Sequence, residues 1–422
     1  MTAASASSVD SSAIKQALAV EDYDTVIAEV HSAMTTDPMA AMSDPVINDW
    51  LGRRYRNIFI EEALADETAV KNSEAPFPLN KIDKREDRER VAKRMLKGMS
   101  KEEIDTIMPL AQIGPIENVT FVFAPGLLTG LLPDLAFQSI WPGIEERFGI
   151  RVIASDSHPM RPPSKNVEDL VNAIEQGIGH APTAEAELIT AEDNPVAPND
   201  VILMGYSKGT PDILQLLNDR PDLAPRIRAV MGWAGAAGGS YLADDIFEQL
   251  SEMPMFNNVK DLTKNDVTRQ VFRLAPVTEL KTINRRIDEF DVLGAVESLT
   301  TGFRDQFLVD NADAINELGV PQFCFTGATS LLDVPYFQRQ GTIKLNTYDQ
   351  DNDMQLTQAQ QMAFPSPSTT RLAMFNANHW DMSYDAFPWQ RTMGSMHLKH
   401  KFARRAAISA IILFMAEIGL ID

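Results

Sequence analysis

Val201-Ile202-Leu203-Met204-Gly205-Tyr206-Ser207-Lys208-Gly209-Thr210 is the stretch on which the fold is read. Its first four residues are apolar without alternation, the pattern of a strand buried on both faces. From Thr210 to Leu217 the apolar residues fall at three-to-four spacing, which predicts a helix. Between them stands Gly-x-Ser-x-Gly. A sharp strand-to-helix turn needs small residues on both flanks, because side chains there would strike the neighbouring backbone. Such a turn lifts the Ser207 hydroxyl above the sheet at the positive end of a helix, where a nucleophile is favoured. An ordinary glycine-bounded turn is the plainer alternative.

Working outward, the same grammar recurs. Short apolar runs at Val119–Ala124, Arg151–Ser155, Ala229–Trp233, Pro321–Phe325 and Leu372–Phe375 complete a set of six predicted strands. Amphipathic stretches at Ile140–Phe148 and Val167–Ile178 follow the first two. Continuous apolar strands alternating with helices predict a mostly parallel sheet covered on both faces. The stretch 244–318 is helical in pattern without a clear strand, and is read as a cap or lid inserted between two strands. Residues 1–116 contain only helical patterns, at Ala13–Val20, Asp22–Met34, Ile47–Ala65 and Lys81–Met95, and are read as an added helical region. Residues 117–422 then form the catalytic domain. The apolar faces of the N-terminal helices need a surface to bury against: the sheet, the site, or a second copy of the chain in a homodimer.

Composition sets bounds. The 422 residues carry 38 Lys plus Arg against 59 Asp plus Glu, a formal charge of -21. So acidic a surface repels phosphate backbones, which argues against nucleic-acid binding. With one cysteine, Cys324, the chain forms no internal disulfide and no cysteine-based metal cluster. Its apolar neighbours Phe323 and Phe325 predict a buried thiol. The N-terminus lacks the basic and apolar regions of a secretory signal, and the apolar stretch Ala406 to Ile421 is broken by Ser409 and Glu417. Too short for a transmembrane segment, it reads as a last helix packed on the sheet, and a cytoplasmic location is expected.

A serine hydroxyl is a weak nucleophile and needs a base. In a sheet of this kind the base follows the serine in the chain. That leaves His379, His397 and His400 of the six histidines. His397 and His400 stand beside Lys399 and Lys401 and read as surface residues. His379 lies just past the run Leu372–Phe375, in a loop at the carboxyl edge of the sheet, and is the expected base. The acid should follow the strand Pro321–Phe325. Asp333, Asp349, Asp351 and Asp353 all qualify on spacing.

With these landmarks in order, the chain resembles the α/β-hydrolase superfamily, and within it bacterial triacylglycerol lipases and esterases of the true-lipase type, over roughly residues 116–420. Val119 to Leu127 resembles their strand and H-G-[LFM] loop, with Pro125 at the histidine. Gly232 to Asp244 resembles the segment ending G-S-x-x-A-D, and Val296 to Thr301 the E-S-L-T-T helix start. Asn352-Asp353-Met354 resembles N-D-G, with Met354 at the glycine, and Asn378-His379-Trp380-Asp381 resembles N-H-x-D. The resemblance implies Asp353 as the acid, with Asp333 and Asp351 as alternatives, and an oxyanion hole from the Leu127 and Lys208 amides. It further implies a calcium site at Asp381, with Asp385 four residues on; a loop-capping Asp381 and no cofactor is the plainer reading.

The implied activity is hydrolysis of acyl esters through an acyl-enzyme. Ile246, Phe247, Leu250, Met253, Met255 and Phe256 are candidates to line an acyl pocket. A Lys208 ammonium at that pocket would favour anionic substrates; pairing with Asp212, four residues on, is the alternative. Polyhydroxyalkanoate depolymerase, thioesterase or acyltransferase chemistry would use the same groups. A non-catalytic interaction protein built on this fold is the remaining class.

Overall fold

The computed structural model describes residues 10–75, 78–132, 135–183, 186–252, 286–387 and 401–422. Met253, Met255, Phe256, His397 and His400 lie outside them.

The N-terminal third is helical: α1 Ser12–Ala19, α2 Tyr23–Thr36, α3 Pro38–Ser43, α4 Pro45–Leu64, α5 Glu67–Ser73, α6 Asp87–Met95 and α7 Lys101–Asp105. Asp44 caps α4, accepting from Val46 N at 2.8 Å and Ile47 N at 3.1 Å, with Pro45 at the first helical position. The single helix expected over Lys81–Met95 does not form. Asp83 takes the Arg85 N–H at 3.2 Å and its guanidinium Nε at 2.8 Å, a local turn that competes with helix, so α6 starts at Asp87.

The sheet follows with β1 Val119–Ala124, α8 Trp141–Phe148, β2 Arg151–Ala154, α9 Pro163–Gln176, β3 Gly179–His180, β4 Leu188–Ile189, β5 Asp200–Tyr206, α10 Gly209–Asp219 and β6 Ile227–Trp233. Then come α11 Tyr241–Ser251, α12 Val292–Glu297, α13 Thr301–Glu317, β7 Gln322–Ala328, α14 Arg339–Leu345, α15 Gln358–Gln361, β8 Thr370–Asn376 and α16 Arg404–Glu417. The strands lie in the order β4-β3-β2-β1-β5-β6-β7-β8. All six strands read from the sequence pair in parallel; the two-residue β3 and β4 join antiparallel at one edge.

Alternation along the strands separates two cores. Phe121, Phe123, Met204, Met231, Trp233 and Phe325 face one side, where α4, α8 and α16 cover them; Val122, Leu203 and Val230 face α9, α10 and α13. Thus 301–317 of the stretch read as a cap is a covering helix of the sheet, with Phe307 and Ile315 in the second core. Asp244 fixes its start, accepting from both the Thr301 N–H and hydroxyl at 2.8 Å. At the other edge of the sheet, residues 96–97 add a short pairing to β8: Leu96 bridges Phe375, and Lys97 N donates to Met374 O at 2.8 Å. That covers an otherwise open strand edge. Cys324 is buried in β7, and burial pushes its thiol up to about 12, so it is inert at neutral pH. Among the described residues no helix is long and apolar enough to cross a membrane.

Candidate active site

Between β1 and β5 the sheet changes direction: β1 is followed by β2 on one side, while β5 lies on the other and leads on to β6. Ligands in open α/β sheets bind at such a point, beyond the carboxyl ends of the strands. Ser207 follows β5 there. Its φ of +53° is the left-handed conformation that non-glycine residues rarely take. The turn is enforced by its neighbours. A Cβ on Gly205 would lie 2.5 Å from Thr210 N, and one on Gly209 would collide with the Ala124 carbonyl oxygen. The Ser207 carbonyl accepts from Thr210 N at 3.1 Å and Ala236 N at 3.0 Å, pinning the strained residue.

His379 follows β8 and Asp353 lies in the loop after β7, so all three stand at one edge. His379 Nε2 is 2.9 Å from Ser207 Oγ, and its Nδ1 is 2.7 Å from Asp353 Oδ2. His379 and Asp353 are buried and Ser207 half-buried. The other Asp353 oxygen accepts from Gln355 N at 2.9 Å and Leu356 N at 2.7 Å, and the Asp353 carbonyl accepts from His379 N at 2.8 Å. Both the carboxylate and the imidazole backbone are thereby held. Asp333 and Asp351 are exposed; Asp333 accepts from Ser330 Oγ at 2.7 Å and Asp351 pairs with Lys97 at 3.2 Å. Asp349 accepts from Gln358 N at 2.9 Å.

Met354 occupies the left-handed φ of +81° that a glycine would take without cost, and is fully buried. The turn beside Asp353 therefore survives without glycine, at a strain cost of about 1–2 kcal/mol. Met354→Gly relieves that strain but deletes a buried side chain, worth about 2–5 kcal/mol. The expected net result is a loss of up to about 4 kcal/mol on these two terms, read by urea unfolding; a more stable variant would refute it.

Two residues were not legible as site residues. The Tyr206 hydroxyl donates to the His379 carbonyl at 3.0 Å, its ring centroid 5.1 Å from the imidazole. Asn378 Oδ1 accepts from Trp380 N at 3.0 Å and Asp381 N at 2.9 Å, while its Nδ2 donates to the Asp333 carbonyl at 3.0 Å. The motifs held both, but neither position announces a hydrogen bond to a distant loop.

The Leu127 and Lys208 N–H groups make no hydrogen bond among the described residues. Leu127 is at the mouth beside Ser207, and a Cβ on Gly126 would meet the Ser207 Cβ at 3.0 Å, so the two turns touch. The Lys208 side chain points away from the site. Its ammonium is buried against Asp212, at 2.8 and 3.0 Å. No Lys208 cation therefore faces a substrate.

A cavity of about 120 Å³ opens on Ser207 and His379, lined by Leu127, Leu242, Ile246, Val296, Leu299 and Leu356. Of the residues expected there, Ile246 lines it, whereas Leu250 is buried and Phe247 half-buried in the adjoining core. A larger cavity, about 740 Å³, lies at the opposite end of the sheet against Met34, Ile116, Ile227 and Leu420, and contains none of the candidate residues.

The two positions that the resemblance offers for calcium, Asp381 and Asp385, lie near the start of α16. Asp385 pairs with the Arg404 guanidinium, which also donates to the Asp381 carbonyl at 3.2 Å. Among the described residues no cluster of three or more His, Cys, Asp or Glu side chains gathers as a ligand set.

No known family model matches the chain, and no curated protein matches it. Among solved structures, a metagenomic carboxyl esterase, MGS0156, is 20% identical, with 86% of this chain and 91% of that one covered at a TM-score of 0.58. The mature lipase BlEst2 of Bacillus licheniformis is 18% identical over 64% of this chain and 89% of its own, at a TM-score of 0.42. At such identities the likeness is one of fold: the chain has the α/β-hydrolase fold.

Proposed function

We propose that the protein is a serine ester hydrolase acting on acyl esters with an apolar acyl group. The observation that carries this reading is the hydrogen-bonded line from Ser207 Oγ through His379 to the buried Asp353 carboxylate. Ser207 Oγ attacks the carbonyl carbon while His379 Nε2 takes its proton. Asp353 keeps the Nδ1 proton in place and stabilises the imidazolium. The free Leu127 and Lys208 amides receive the oxyanion. Removing one such donor typically costs about 2.7–4 kcal/mol of transition-state stabilisation. His379 then protonates the leaving alcohol, giving an acyl-Ser207. It next draws a proton from water, which attacks the acyl carbon and releases the acid. The apolar lining from Leu242, Ile246, Val296 and Leu299 suits the acyl side of such a substrate.

The test is turnover of p-nitrophenyl esters together with fluorophosphonate labelling. Stoichiometric label on the peptide containing Ser207 is expected; a chain that neither turns over esters nor takes label has another role. Product analysis on thioesters and polyesters separates the related chemistries.

Asp353→Asn is expected to cost about 10⁴ in kcat, because the amide presents the wrong partner to Nδ1. Asp333→Asn and Asp351→Asn should stay within about threefold of wild type, since surface changes away from the site are generally mild. Steady-state kinetics decide: a near-normal Asp353→Asn beside a dead Asp333→Asn would move the acid.

A further inference from the structure

Behind the nucleophile turn lies a chain of polar side chains, buried at Lys208, Asp212 and Asn166 and half-buried beyond them, that no step above uses. Lys208 and Asp212 are 1% and 0% exposed in their side chains. Asp212 also accepts from Asn166 Nδ2 of α9, at 2.9 Å. Asn166 Oδ1 in turn accepts from Arg161 Nε at 2.7 Å, and Arg161 pairs with Glu289. Arg286 donates to Glu289 at 2.6 Å and to the Asp156 carbonyl after β2 at 2.6 Å. The first turn of α10 is thus tied to α9, to the loop after β2 and to residues 286–289.

Stability alone does not explain such a chain. Taking an ammonium and a carboxylate out of water costs about as much as their attraction returns, and apolar pairs of similar volume often serve equally well. Burial pulls the Lys208 ammonium down and pushes the Asp212 carboxyl up, each opposed by the charge of the other. What the pair supplies is direction. The Lys208 Cα carries both the anchored side chain and the N–H that would meet the oxyanion. The preceding residue, Ser207, is held at φ +53°, from which the peptide between them would relax if released.

Resting on the hydrolase reading above, we propose that Lys208, Asp212 and Asn166 are positioning residues, which hold the Lys208 amide toward the oxyanion by anchoring its own side chain to α9. Their effect falls on the transition state, where the oxyanion forms, and not on substrate binding.

Two variants test this. Lys208→Met with Asp212→Leu removes both charges and roughly keeps the volume. Asn166→Ser cuts the tie to α9, together with the Asn166 bonds to the His158 backbone at 3.1 Å, and leaves the Lys208–Asp212 pair intact. The expected result for the double variant is kcat lower by about 10–100-fold per labelled active site, KM within about threefold, and an unchanged melting temperature. Asn166→Ser should lower kcat by about 3–10-fold in the same manner. Folded variants with wild-type kcat, or losses that follow KM, would overturn the assignment. So would failure of both to fold, which would make the chain a structural one. A wild-type protein without ester turnover would instead defeat the hydrolase reading, leaving these outcomes distinct.

Discussion

Ser207→Ala is expected to abolish ester hydrolysis and fluorophosphonate labelling while leaving the melting temperature within a few degrees of wild type. The fall in kcat should reach about five to six orders of magnitude, the scale seen when a serine nucleophile is removed from a complete set. Three features set that size. The Oγ stands 2.9 Å from His379 Nε2, so attack and proton transfer share one atom. In the proposed mechanism His379 and Asp353 act only through that oxygen, and their contributions vanish with it. The fold loses one half-exposed hydroxyl, and the backbone bonds that pin the turn run through the Ser207 carbonyl and N–H, which alanine keeps. Full labelling at another serine, or turnover reduced only tenfold, would contradict the expected result.

What was legible in the sequence follows from burial. β1, β5, β6, β7 and β8 lie inside the sheet or under a covering segment, so their middle residues are mostly apolar and the runs stand out. β3 and β4 have two residues each and pair at the opposite edge; two residues cannot display a period. That Ser207 and His379 would lie together was readable, because glycine spacing and chain order constrain where they fall. Asp353 was not singled out by spacing among four carboxylates. What sets it apart is the set of backbone N–H groups that meet its carboxylate, and that depends on the Met354 turn. A methionine at φ +81° gives no signal in sequence, since it sits there only because the surroundings fill and hold it. Of the two Lys208 readings, the structure bears out the pair with Asp212 and not the cation at the pocket. The spacing to Asp212 was visible, but the direction of the side chain depends on α9 supplying Asn166.

Deleting residues 10–110 is expected to prevent folding rather than to shorten an appendage. α4 lies on the same face of the sheet as α16 and completes an aromatic cluster there. The Tyr55 ring centroid is 4.9 Å from that of Phe325, and Phe59 is 5.4 Å from Phe375 and 6.0 Å from Phe402. The Tyr55 hydroxyl donates to the Ala407 carbonyl at 3.1 Å, and the buried Arg54 pairs with Glu417 at the end of α16. This face is filled from within the chain, so it leaves little of α4 for a second copy to cover. Without α4, Phe325, Phe375 and Phe402 would meet water, Glu417 would lose its partner, and the β8 edge would lose Leu96. The single variant Phe59→Ala samples the same contacts and should cost about 3–5 kcal/mol. That is a large share of the roughly 5–15 kcal/mol that holds a typical domain together. The truncated chain should therefore appear as aggregate or without a cooperative unfolding transition, and Phe59→Ala should unfold at markedly lower urea with an unchanged slope. A soluble, active truncation with the wild-type midpoint would show that the sheet face is satisfied without α4, and would return residues 1–116 to the standing of an appendage.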